Sequence, residues 1–162
     1  MSAFVSPARP VSAALTPSVS IAIAVDTAAI AAVQDGKITS GVYMMDNQVR
    51  NGSGHEGRID LHTVCNVGAL IGFQVLPINA AGTSGDSATL TSFALQGGDD
   101  VFTGAGHPRA EPPPKGLAPG SYWIGQAMAA GTEEYQIQIE VTVGALQPTS
   151  FYVTWEATLT AS

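Results

Sequence analysis

The sequence has a single cysteine, Cys65, so no disulfide can form within the chain and the fold must hold together by burial alone. Charge is scarce as well. Asp, Glu, Lys and Arg make up 12% of the residues, about half the share in an ordinary soluble domain, which leaves surface polarity to Ser, Thr, Gln, Asn and Gly. Six basic residues against thirteen acidic ones give a net charge of −7. Such a balance repels phosphate backbones and anionic headgroups, so no nucleic acid partner is expected. Long apolar runs are missing: the longest, Val19 to Val33, is broken by Ser20, Asp26 and Thr27 and is too short to span a bilayer, which excludes membrane insertion by that route. No Lys or Arg precedes an apolar run near the N-terminus, so there is no standard signal peptide and a cytoplasmic location is expected. The common short catalytic signatures are absent too: no Gly-x-Ser-x-Gly elbow, phosphate loop, His-Glu-x-x-His or paired cysteines. The chain therefore reads as a protein that is not an enzyme and needs no cofactor.

What is present is alternation. Residues 1–18, with Pro7, Pro10 and Pro17 and no apolar period, form an expected flexible N-terminal arm, and residues 19–162 a single domain large enough to bury its own core. Val19, Ile21, Ile23 and Val25 alternate with small residues, the period of two of a half-buried strand. Asp26 or Thr27 then caps a short helix through Val33, because a side-chain oxygen accepts the first free N–H groups, and Gly36 ends it. Strands are predicted over 42–45, 59–67, 70–78, 88–95, 122–128, 135–143 and 151–160, with turns at Asn51-Gly52-Ser53-Gly54 and Asn66-Val67-Gly68. The run from Tyr135 to Val143 alternates without a break, as antiparallel sheets with one solvated face do. These strands and Gly/Pro turns predict an all-β fold, an antiparallel β-sandwich.

Residues 96–121 depart from the rhythm, with six glycines and five prolines, and a loop this long is where a site is sought. Asp99, Asp100 and His107 offer hydrogen-bonding groups there, and Tyr122 and Trp123 follow as aromatic platforms suited to a glycan or a protein surface. Neighbours on a strand face opposite ways, so one of the two rings belongs to the core. Asp60 and His62, two apart on an expected strand, with His55 and His107 possible neighbours, are the best metal candidates, but two ligands are few and polar contacts on a sheet surface explain them as well; no metal is assigned. Cys65 reads as a buried structural thiol, Trp155 with Phe151 and Val153 as core, and Met44-Met45 as core filling.

Val25-Asp26-Thr27 after an alternating strand, Gly41-Val42-Tyr43-Met44-Met45, Gly131-Thr132-Glu133-Glu134-Tyr135 before a long strand, and Trp155-x-x-x-Leu159-Thr160 together resemble the bacterial inclusion-body proteins of the PixA/AidA family across residues 19–160. The resemblance implies a jelly-roll-like sandwich. It also implies a homodimer or larger assembly, abundant cytoplasmic expression under density or growth-phase control, and accumulation as inclusions without catalysis. The alternative it leaves open is a lectin-like protein binding carbohydrate through residues 96–123.

Overall fold

The computed structural model describes residues 16–33, 36–38, 40–78, 85–144 and 146–162. The expected arm lies outside these residues except for its last three positions. Among the described residues the chain forms nine strands, two short α-helices and one turn of 3-10 helix (Val49–Asn51): β1 (Val19–Asp26), α1 (Thr27–Val33), β2 (Val42–Asp46), β3 (His62–Cys65), β4 (Leu70–Ile78), β5 (Ser87–Gly98), α2 (Thr103–Gly106), β6 (Arg109–Ala110), β7 (Tyr122–Gln126), β8 (Gly131–Val143) and β9 (Thr149–Ala161). The helix cap read from the sequence is present: the Asp26 carboxylate accepts the Ala29 N–H at 3.1 Å. No helix among the described residues is long and apolar enough to cross a membrane.

The strands form two sheets, ordered β2-β1-β4-β7-β6 and β3-β9-β8-β5. Alternation decides which face each sheet buries. Val19, Ile21, Ile23 and Val25 of β1 and Ile71, Phe73 and Val75 of β4 point inward against Tyr135, Ile137, Ile139 and Val141 of β8 and Val153, Trp155 and Leu159 of β9. Rings lock the layers at one end: Phe73 of one sheet lies 4.5 Å from Phe93 and 5.9 Å from Tyr135 of the other, centroid to centroid. Cys65 is buried as expected, and burial pushes its thiol up to about 11.

The all-β class holds, but the all-antiparallel expectation does not. β1 pairs with β4 in parallel, as does β3 with β9, so both sheets are mixed. Parallel neighbours need a long crossover, and residues 27–69 supply one by carrying α1, β2 and β3 between β1 and β4. Two other expectations shift. The strand predicted over 59–67 shrinks to His62–Cys65 because the residues before it close onto β2, with Met44 N–H donating to Arg58 O and Gly57 N–H to Met44 O. Residues 96–121, read as irregular, hold α2 and the two-residue β6, which pairs with β7.

Candidate functional site

The expected site residues are not gathered in one place. Asp99 and Asp100 serve the backbone beside them: Asp99 Oδ2 accepts the Thr132 N–H at 2.9 Å and Asp100 Oδ1 the Thr103 N–H at 3.0 Å. The His107 ring meets the Phe93 carbonyl at 3.1 Å. Trp123 is the inward ring of its pair, with its centroid 5.6 Å from Phe93. Tyr122 faces the other way, into a shallow hollow of about 330 Å³ on the outer face of the first sheet, with Gln74, Asn47, Asp46 and Met45. Gly72 opens that hollow, since a Cβ there would stand 2.9 Å from Pro17 Cγ and 3.1 Å from the Tyr122 hydroxyl. Burial, and then the charge of Glu111, raise the Tyr122 phenol above its ordinary value. Tyr122 and His107 line different hollows.

Asp60 and His62 do not share a strand face, because Asp60 sits in the turn before β3. Its carboxylate is engaged by Arg58 at 3.0 Å and His55 at 3.2 Å, while His62 Nε2 meets the Thr160 hydroxyl at 2.8 Å. His55, Asp60 and His62 line one hollow with Glu134 and Glu156, and a hydrogen bond between the two glutamate carboxyl groups raises Glu156 above the usual range. Among the described residues no group of three or more His, Cys, Asp or Glu side chains is placed to hold a metal ion.

A buried acid was missed by the sequence reading. Glu133 is 3% exposed and accepts the Val101 N–H at 3.1 Å, tying β8 to the segment after β5. Burial pushes its carboxyl up to about 7. The signal was its parity, since Glu133 is two residues before Tyr135 on a strand whose odd positions point inward.

The largest feature is the edge of β9. On one side β9 pairs with β8 along all its 13 residues. On the other, β3 covers only Thr158–Ala161. Thr158 N–H donates to Leu61 O, so by the period of two the backbone groups of Glu156, Thr154, Tyr152 and Ser150 point the same way, where no strand lies among the described residues. Among the described residues these groups have no backbone partner. Beside them runs a hollow of about 410 Å³ whose other wall is Ile30 and Val33 of α1 with Lys37, Ile38 and Ile59.

Among the described residues the other edge strands are blunted. β2 is short and bridged by Arg58, β6 has two residues, β3 is closed by the mutual bonds of Gly54 and His62, and β5 carries two register shifts. β9 has none of these devices between Thr149 and Trp155, a stretch without a charged residue. Tyr152 within it is 65% exposed and Leu146, in the preceding hairpin, 97%.

A family described only as a domain of unknown function, DUF8788, matches residues 17–147. The chain belongs to the DUF8788 family. No curated protein matches it. The fold of this DUF8788 domain is similar to the crystal structure of an inclusion body protein, PixA, from Burkholderia cenocepacia J2315, with a TM-score of 0.69 over 89% of this chain and 94% of that one. Identity is 18%, so the likeness is one of fold. The PixA-like fold expected from the sequence motifs is thus found.

Proposed function

We propose that this DUF8788 domain is a non-catalytic, self-associating accessory protein of the PixA/AidA inclusion-body type, made in quantity under density or growth-phase control and stored in the cytoplasm as assemblies. The observation that carries this reading is the edge of β9, which no strand among the described residues covers before Thr158, with a hollow of mixed polar and apolar lining beside it. An edge with unpaired backbone groups and a single charged residue, Glu156, is a template for another chain, and natural proteins blunt such edges unless they use them. The fold likeness to an inclusion body protein supports the same reading, and the two packed sheets suit a jelly-roll-like sandwich. Light scattering on the purified full chain tests it. A mass that is a multiple of 16.6 kDa at micromolar concentration is expected, and 16.6 kDa throughout would remove the reading.

A second reading, lectin-like binding of a glycan, is favoured by one observation: Tyr122 and the amides of Gln74 and Asn47 line one outward hollow, an aromatic face beside polar groups. On a glycan array, Tyr122→Ala is expected to abolish any specific binding of the parent chain. Binding that survives it places the ligand elsewhere, and a parent chain that binds nothing ends the reading.

A further inference from the structure

We infer that the occupant of the β9 edge is the same edge of a second copy, antiparallel about a two-fold axis beside Val153, so that two sheets become one continuous sheet through β9. This rests on the self-association proposed above and specifies its interface. A two-fold contact joins one patch to itself, so the patch must complement itself. The β9 edge does so through its backbone, because an antiparallel ladder pairs outward-facing residues with outward-facing residues.

The outward groups belong to Ser150, Tyr152, Thr154 and Glu156. A two-fold axis at Val153 sets Ser150 opposite Glu156 of the second copy and Tyr152 opposite its Thr154, which gives all of these backbone groups a partner. Moving the axis to Tyr152 or Thr154 leaves one end of the edge unpaired. The chosen register also sets Glu156 against a serine hydroxyl and not against its own copy, which matters in a chain of net charge −7.

The chain's own N-terminal segment is a poorer occupant. Pro7 and Pro10 lack the N–H that a strand ladder needs. A strand pair by itself is smaller than the roughly 800 Å² per partner of a standard interface, so the exposed Tyr152, Val33 and Leu146 around the edge are expected to contribute.

The structure offers a selective perturbation. The Thr154 N–H faces away from β8, so Thr154→Pro removes an edge donor and leaves the β8–β9 ladder its bonds. Thr154→Lys adds a charge to an exposed position on that edge. Both variants of the full chain are expected to weaken dimerisation at least tenfold by sedimentation, with circular dichroism unchanged. Thr154→Lys keeps the test valid if the proline variant does not fold.

A cysteine cross-link fixes the register. Val153→Cys places two thiols across the axis, where facing Cα atoms of a non-hydrogen-bonded pair lie about 4.5 Å apart, within reach of a disulfide. Ser150→Cys places them at opposite ends of the paired segment, about 20 Å apart at the rise of a strand. Mild oxidation is expected to give covalent dimer from Val153→Cys and none from Ser150→Cys. A parent chain that stays monomeric overturns both this inference and the function proposed above. An oligomer unaffected by Thr154→Lys, and not captured by Val153→Cys, overturns the β9 pairing alone.

Discussion

Replacing Glu133 with Gln tests the electrostatics of the fold directly. The side chain is 3% exposed, and its carboxyl is raised from 4.5 to about 7, chiefly by burial. In the unfolded chain the group ionises near its ordinary value, whereas the folded chain holds the proton until about pH 7. The contribution to stability is therefore full below pH 4.5, declines as pH rises from 4.5 to 7, and is flat above. The difference corresponds to roughly 3 kcal/mol, which in a domain of this size moves Tm by about 6–12 °C. Glutamine does not titrate. Its carbonyl can still accept the Val101 N–H, but its amide cannot replace the second carboxylate oxygen, so a constant offset of about 1–2 kcal/mol is also expected. The slope is what matters. Thermal melts of both proteins between pH 4.5 and 8 are expected to cross as pH rises, because the parent's loss exceeds the variant's constant offset, while the raised Glu56 and Glu156 act equally in both. Parallel curves would refute the reasoning, because they would mean that Glu133 ionises alike in both states.

Other outcomes follow from local geometry. Asp26→Ala removes the cap on α1 and is expected to cost about 1 kcal/mol in urea denaturation. Gly98→Ala is expected to cost more than about 2 kcal/mol, because φ is +74° there and an added Cβ would press on the Thr132 carbonyl; a smaller change in the urea midpoint would mean that the β5–β8 corner can shift. Trp123→Phe is expected to cost under about 1.5 kcal/mol in the same assay, because the buried indole N–H has no hydrogen-bond partner among the described residues and its loss removes an unsatisfied donor.

How much of this was legible varies with the range of the interaction. β1 and β8 could be read because their alternation is local, and so could the Asp26 cap, which acts three residues away. The parallel pairings could not, since turn residues between strands do not say which strand becomes a neighbour. Asp99 and Asp100 looked like ligand groups for the same reason: a carboxylate that receives backbone N–H groups from Thr132 and Thr103 has the same sequence as one left open to solvent. Tyr122 and Trp123 were correctly divided between surface and core by strand parity, although parity alone does not say which ring is which. The β9 edge was invisible because it depends on where β3 stops, and β3 stops where Arg58 and Gly57 close onto β2.

The most direct test of self-association through β9 is sedimentation equilibrium of the full chain beside Thr154→Lys, over a hundredfold range of concentration in one buffer. The expected result is a parent chain at a multiple of 16.6 kDa and a folded variant shifted toward 16.6 kDa. A parent chain at 16.6 kDa at every concentration would contradict the account.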